Sequence, residues 1–114
     1  MAVKPSAQYV AGFLDGEGYV SRSGFRIEIL NTCRPVLWAI KRRVKVGKVI
    51  LRSKSGQGNH LGRKKQYKHQ ILGRLNVQHF LKIVLPYVIV KRKRCIILAT
   101  ARNKKEIRRM NHGR

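Results

Sequence analysis

The segment formed by residues 7–18 constrains the fold more than any other part of the chain. Residues 7–15 have the periodicity of a helix, with an apolar stripe of Val10, Phe13 and Leu14 and a second stripe of small or polar residues, Gln8, Ala11, Gly12 and Asp15. A glycine inside a helix costs about 1 kcal/mol relative to alanine, and the close approach of another helix backbone would offset that cost. The pattern therefore predicts a helix that packs on its own core through one face and on a second helix through the other.

The rest of the chain alternates between strand and helix patterns. Residues 19–32 alternate around a Ser23-Gly24 turn, and residues 48–54 and 64–72 form a second strand pair around a glycine-containing loop at 55–62. Helices are predicted at 35–46, at 77–85 and from Cys95 onward, while the basic tail at 103–114 is expected to be frayed. The order αββαββα predicts one domain over residues 1–114, with a mixed α/β (α+β) fold. Helices would cover one face of an antiparallel sheet, and polar side chains would occupy the other.

The charge of the chain is strongly unbalanced. It contains 27 Lys and Arg against 4 Asp and Glu, a net charge of +23, while 43% hydrophobic residues suffice for a folded core. Such a charge costs self-repulsion that a polyanion relieves, so DNA or RNA is the favoured partner. A membrane surface is the weaker option, because the chain lacks a long amphipathic helix with aromatic anchors and its basic residues are spread over many segments. No apolar run approaches the roughly 20 residues of a membrane span. Basicity alone leaves a ribosomal-type RNA binder, a repressor and a nuclease open.

The two cysteines indicate a reducing compartment. Cys33 and Cys95 lie far apart and in no metal-ligand spacing, which argues against both a disulfide scaffold and a structural zinc site. Residues 1–6 have no apolar run, so no secretory signal is expected. We therefore expect an intracellular location, either the cytoplasm of a prokaryote or archaeon or an organelle matrix.

Two of the four carboxylates stand close together between glycines, in Asp15-Gly16-Glu17-Gly18. A nucleic-acid binder gains nothing from acidic residues near phosphate unless a cation lies between them. Hard divalent cations such as Mg²⁺ bind carboxylate and carbonyl oxygens together with substrate phosphate. The placement of these acids therefore indicates metal-assisted phosphodiester chemistry, although an exposed acid at an ordinary helix end gives the same local pattern.

Three blocks of the sequence resemble the LAGLIDADG homing endonucleases. Residues 10–18, Val-Ala-Gly-Phe-Leu-Asp-Gly-Glu-Gly, are similar to the signature nonapeptide of that family. Residues 27–47 resemble the segment after its first hairpin, and residues 85–93 resemble its later proline-to-lysine segment. The resemblance covers roughly residues 6 to 100, and a single copy of the signature resembles the homodimeric, intron-encoded members. It implies a sheet that forms a DNA-binding saddle in a homodimer.

The resemblance also implies roles for individual residues. Glu17 would bind Mg²⁺ together with the carbonyl of Gly16; here the chain has Glu where the family most often has Asp. Lys91 corresponds to a basic residue near the scissile phosphate, and Asn31 to a position that orders solvent around the nucleophile. Asp15 matches the earlier acidic position near the helix pair, and the stripe of Gln8, Ala11, Gly12 and Asp15 would form the dimer interface. Arg34 is the nearest candidate for a second basic residue.

Polar side chains on the predicted sheet are candidate DNA contacts. They are Arg22, Arg26, Glu28, Lys48, Arg52, Lys54, Lys68 and Gln70. Arg bonds guanine and Gln bonds adenine in the major groove. Glu28 could accept a hydrogen bond from cytosine or form a salt bridge within the protein, and the sequence does not decide between them.

The expected activity is a Mg²⁺-dependent double-strand break in a long, near-palindromic DNA site. Mn²⁺ or Ca²⁺ could occupy the same site, Ca²⁺ without turnover. Double-stranded DNA and a second copy of the chain are the expected partners, and intron RNA is a further one. Two alternatives are an RNA-splicing maturase or an inactive binding relative on the same scaffold, and a generic RNA-binding protein.

Overall fold

The computed structural model describes residues 4–53 and 65–112, and the side chains of residues 52 and 53 fall outside that description. The elements follow the predicted order, including the helix predicted from Cys95 onward, and one unpredicted helix, α5, follows it. They are α1 Ala7–Glu17, β1 Gly18–Val20, β2 Arg26–Asn31, α2 Arg34–Val44, β3 Lys48–Ser53, β4 Gln66–Leu72, α3 Arg74–Val84, a 3-10 turn Leu85–Tyr87, α4 Arg92–Thr100 and α5 Lys104–His112. No helix in the described ranges is long and apolar enough to cross a membrane.

The four strands form one antiparallel sheet in the order β1-β2-β4-β3. The register places Tyr19 opposite Glu28. It also places Gln70 between its two cross-strand partners, Glu28 and Lys48, so all four side chains share one face of the sheet. Ile27, Ile29 and Ile71 point to the opposite face and are buried under the helices. The predicted division into a helix-covered face and a polar face is therefore confirmed.

Two glycines allow the backbone to approach neighbouring atoms closely. A Cβ at Gly18 would lie 2.7 Å from the carbonyl oxygen of Leu14, so glycine allows β1 to begin directly where α1 ends. Gly47 has a φ of +89°, and a Cβ there would lie 2.6 Å from the imidazole Nε2 of His69. That ring is buried in the core and shares a 2.8 Å hydrogen bond with the carbonyl oxygen of Val46.

Residues 104–112 correct the prediction of a frayed tail. They form α5, in which Ile107 is fully buried. Asn103 begins the helix because its side chain accepts from the backbone N–H of Glu106 at 2.9 Å, while the Glu106 carboxylate accepts from the backbone N–H of Arg102 at 2.9 Å. Asn103 thus acts as the N-cap and satisfies one of the N–H groups that a helix start leaves free, while Glu106 ties down Arg102, the residue before the cap. The predicted loop at 55–62 lies outside the described residues.

Candidate active site and nucleic-acid interface

Glu17 is the last residue of α1 and is exposed at the edge of the sheet. Its Oε1 accepts a 2.8 Å hydrogen bond from the side-chain amide of Asn31, the last residue of β2. The carbonyl oxygen of the Asn31 side chain accepts at 2.7 Å from the backbone N–H of Cys33, which fixes the amide with its NH₂ group toward Glu17. The structure thus brings together two of the predicted site residues.

An open recess of about 370 Å³ lies beside this hydrogen bond. Gly16, Glu17 and Asn31 line it together with Thr32 and Gln66, which are not among the predicted site residues. Both additional residues are polar and stand at strand ends. Such a position is a weak signal that becomes informative only when the strand register is known.

Asp15 and Lys91 are linked by several contacts within the same chain. The two carboxylate oxygens of Asp15 accept from the backbone N–H groups of Ile89, at 2.7 Å, and Lys91, at 3.0 Å. The Lys91 Nζ donates at 2.6 Å to the main-chain carbonyl of Asp15, near the negative end of the α1 dipole. Burial alone would raise the pKa of Asp15, but the hydrogen bonds from this segment and the Lys91 charge lower it below its ordinary value. Asp15 therefore fixes the entry to α4, and with it the amine of Lys91, at the end of α1.

Arg34 lies close to the same edge of the sheet. Its guanidinium group stacks over the ring of Tyr67, 5.6 Å from the centroid, and Tyr67 is the cross-strand partner of Asn31. The ring holds the cation next to the strand end that carries Asn31, since cations are attracted to aromatic faces. This position keeps Arg34 a candidate for the second basic residue.

The exposed face of the sheet carries most of the candidate DNA contacts. Arg26, Glu28, Lys48, Lys68 and Gln70 share this face through the strand register. Arg52 belongs to β3, but its side chain is outside the description, and Lys54 lies outside the described residues. Arg22 is an exception to the prediction that places it on the sheet, because it lies in the turn between β1 and β2.

Glu28 is the centre of a polar cluster on this face. Its Oε2 accepts from Gln70 at 2.8 Å and from Lys68 at 3.3 Å, and Arg26 lies 3.9 Å away. Burial alone would raise the pKa of Glu28, but the bonds from Gln70 and Lys68 and the nearby positive charges lower it. The salt bridge within the protein is thus formed. One N–H of the Gln70 amide is committed to Glu28.

The predicted dimer stripe is only partly exposed. Gln8 and Gly12 are exposed on α1, and Asp15 is half-buried. Ala11 is fully buried in the core of this chain and has no surface left for a second copy, so its assignment to the interface is wrong. A small apolar side chain adjoining the wide apolar stripe of a helix packs on the core as readily as on a second helix.

Comparisons with solved structures place this arrangement among known folds. The homing endonuclease I-CvuI, in complex with the I-CreI target in the presence of Mg and with its DNA not cleaved, aligns with a TM-score of 0.63 at 18% identity, over 93% of this chain and 68% of that one. I-CvuI with its own target and Ca aligns with a TM-score of 0.62 at 17% identity, over 94% and 68%.

A third structure is more distant in shape but shares more residues. The archaeal intron-encoded homing endonuclease I-Vdi141I, complexed with DNA, aligns with a TM-score of 0.56 at 23% identity, over 81% of this chain and 63% of that one. No protein-family model and no curated protein matches the sequence. The similarity therefore rests on the arrangement of helices and strands: this chain has the fold of the LAGLIDADG homing endonucleases.

Proposed function

We propose that the chain is a site-specific DNA homing endonuclease that makes a double-strand break in a long, near-palindromic target. The observation that carries the proposal is the position of Glu17, an acid at the end of α1 that is held at 2.8 Å by Asn31. The Lys91 amine contacts the main-chain carbonyl oxygen of Asp15, which lies two residues before Glu17. The three solved structures of similar fold are homing endonucleases described with DNA or a target site, which supports this assignment.

Glu17 and the carbonyl of Gly16 would hold the divalent metal ion. Within the described part of the chain no hydrogen bond engages Glu17 Oε2, whereas Oε1 is bonded to Asn31. A carboxylate and a peptide carbonyl, together with phosphate and water oxygens, are the hard donors that Mg²⁺ binds, so the residues fit the ion. When bound, the metal would supply positive charge at the scissile phosphate and increase the acidity of water. Mn²⁺ would fit the same donors, and Ca²⁺ would support binding without turnover.

Asn31, Lys91 and Asp15 would prepare the site in different ways. Asn31 fixes one oxygen of Glu17, which restricts a side chain with one more rotatable bond than Asp. Lys91 would place a positive charge near the phosphate whose negative charge grows during the reaction. Asp15 is a positioning residue, because its carboxylate binds the backbone of the segment that carries Lys91.

A homodimer would complete the enzyme. The described residues of one chain hold no group of three or more His, Cys, Asp or Glu side chains that could bind a metal. The end of α1 offers the single exposed acid Glu17, and a duplex has two strands to cut. Pairing through the exposed face of α1, at Gln8 and Gly12, would bring two copies of this helix end together, one for each strand.

Glu17→Gln tests the catalytic assignment. The amide keeps an oxygen that can accept from Asn31 but loses the charge that attracts a metal, so we expect DNA binding to persist and cutting to stop. The substrate is a plasmid library with randomised inserts, and the linear molecules formed in Mg²⁺ are recovered and sequenced. The matched control is Glu28→Gln, the same chemical change on the sheet, which would alter site preference while cutting continues.

Two results would contradict the proposal. Cutting that persists in Glu17→Gln would reject the role of that carboxylate. Binding of duplex by the native chain without any Mg²⁺-dependent cutting would instead favour the alternative of an inactive relative or a splicing maturase, which intron RNA binding then distinguishes.

A further inference from the structure

Helix α5 divides its residues sharply between a buried and a basic side. Glu106 and Ile107 are buried, whereas Lys104, Lys105 and Arg108 are exposed. A contact with a segment distant in sequence holds the helix in place: the side-chain amide of Asn111, near the end of α5, donates at 2.9 Å to the carbonyl oxygen of Arg22. Its basic side is therefore presented in a fixed position beside the turn between β1 and β2.

The first of two recesses lies between this turn and α5. It has a volume of about 410 Å³, and we name it the turn recess; Ser23, Gly24, Arg26, Lys104 and Arg108 are among the residues that line it. The buried Ser21 holds the turn in shape, because its hydroxyl accepts from the backbone N–H groups of Ser23 at 3.2 Å and Gly24 at 3.1 Å.

The second recess is lined by further cationic side chains, from the turn and from α4. It has a volume of about 380 Å³, and its lining includes Arg22, Lys93, Arg94 and Asn111. The Asn111 contact with Arg22 thus forms part of this wall. Both recesses are bordered by the same turn and the same helix.

None of the five cations Arg22, Lys93, Arg94, Lys104 and Arg108 has a carboxylate within ion-pair distance among the described residues, which include every Asp and Glu of the chain. Glu28 is engaged on the sheet, and Glu106 by Arg102 and Arg109. Such a concentration of one sign repels itself and attracts a polyanion.

Arg26 connects this region to the face of the sheet. It lines the turn recess, and its guanidinium group also lies over the ring of Tyr19, 5.3 Å from the centroid, and 3.9 Å from the Glu28 carboxylate. A duplex on the polar face of the sheet would therefore continue without interruption toward Lys104 and Arg108. This continuity favours the same DNA molecule as the ligand over a separate anion.

We propose that the turn between β1 and β2 and the basic side of α5 form a second DNA contact, which binds the sugar–phosphate backbone beyond the bases that face the sheet. The ligand groups are backbone phosphates, and the contact contributes affinity and orientation without reading sequence. This inference rests on the proposed function, because it requires the duplex to lie on the sheet.

The test is the salt dependence of duplex binding by Lys104→Gln/Arg108→Gln, measured with a labelled mixed-sequence duplex in Ca²⁺. Each lost phosphate contact lowers the slope of log K against log salt by about 0.9, so the double variant loses about 1.8. Between about 50 and 200 mM salt its affinity then falls about twelvefold less than that of the native chain. Both side chains are exposed, so folding is preserved.

The matched control is Arg42→Gln/Lys82→Gln. It removes the same charge from exposed positions on α2 and α3, helices that pack on the other face of the sheet, and should leave the slope unchanged. Equal slopes for the two double variants would overturn the second contact while leaving the proposed function intact. Failure of the native chain to bind any duplex would overturn both. The Lys104 and Arg108 changes could instead weaken the binding of free phosphate more than the binding of duplex. That result would show that the turn recess binds a small anion rather than DNA, and it would also overturn the proposal.

Discussion

Replacing Asp15 with Asn removes the charge that holds the segment before α4 against the end of α1. The carboxylate accepts two backbone hydrogen bonds, from Ile89 at 2.7 Å and from Lys91 at 3.0 Å. Asn keeps one acceptor oxygen and turns an NH₂ group toward the other donor, so one bond is lost and a donor faces a donor. Hydrogen bonds to charged groups contribute about 1.5 to 3 kcal/mol, and half-burial places the expected loss near 2 kcal/mol.

This loss corresponds to a measurable drop in melting temperature. At about 2.1 cal/mol/K of unfolding entropy per residue, 2 kcal/mol lowers the Tm of a 114-residue domain by about 8 °C. Circular dichroism at one fixed protein concentration measures it, since self-association makes Tm depend on concentration. The matched control is Glu17→Gln on the same helix, which retains an acceptor for Asn31 and should change stability by less than about 0.5 kcal/mol.

The pH dependence gives an independent check. The folded-state pKa of Asp15 is lowered, so its stabilising contribution is complete above the unfolded pKa of about 3.9 and is lost as the pH falls through the folded value. The difference in Tm between the native chain and Asp15→Asn should thus stay constant from about pH 7 to 5 and shrink in acid. Equal melting temperatures at neutral pH, or a difference that grows in acid, would refute the positioning role.

Two further predictions concern the surroundings of two buried side chains, His69 and Cys95. Gly47→Ala places a Cβ 2.6 Å from His69 Nε2 and 2.7 Å from the Gln70 carbonyl oxygen, at a φ of +89°. Urea unfolding should therefore show a decrease of more than about 2 kcal/mol in the free energy of unfolding. A decrease below about 0.5 kcal/mol would show that the backbone relaxes freely. Burial first, and then the Asp15 charge, raise the pKa of the Cys95 thiol to about 12, whereas Cys33 is exposed. Iodoacetamide should therefore label the folded chain at Cys33 alone, and mass spectrometry that finds both thiols modified at equal rates would contradict the buried environment.

The sequence was most informative where the alternation of apolar and polar residues alone determines which face of a strand is buried. The alternation of Ile27, Glu28 and Ile29 assigns one face of β2 to the core and the other to solvent, because successive side chains in a strand point to opposite faces. The acid at the end of α1 was likewise visible, since glycines flank it.

Contacts between distant segments could not be predicted in the same way. The bonds of Asp15 to Ile89 and Lys91 span 74 and 76 residues, and no local pattern specifies such a pair. The assignment of Ala11 failed for a related reason, because whether a small side chain meets its own core or a partner depends on the placement of α1 against β2 and α3. For α5 a local signal existed, the spacing of Asn103 and Glu106, but the density of basic residues suggested a solvated tail.

The hydrogen bond from Asn111 to the Arg22 carbonyl joins residues 89 apart, and it has a consequence for how the chain reaches its native state. Together with the bonds between Asp15 and the segment at 89–91, it closes long loops, whose entropy must be lost before the contacts can form. Such topology slows folding relative to a bundle of local contacts. During synthesis, α1 and the turn between β1 and β2 therefore cannot gain these partners until the segment at 89–91 and Asn111 have left the ribosome.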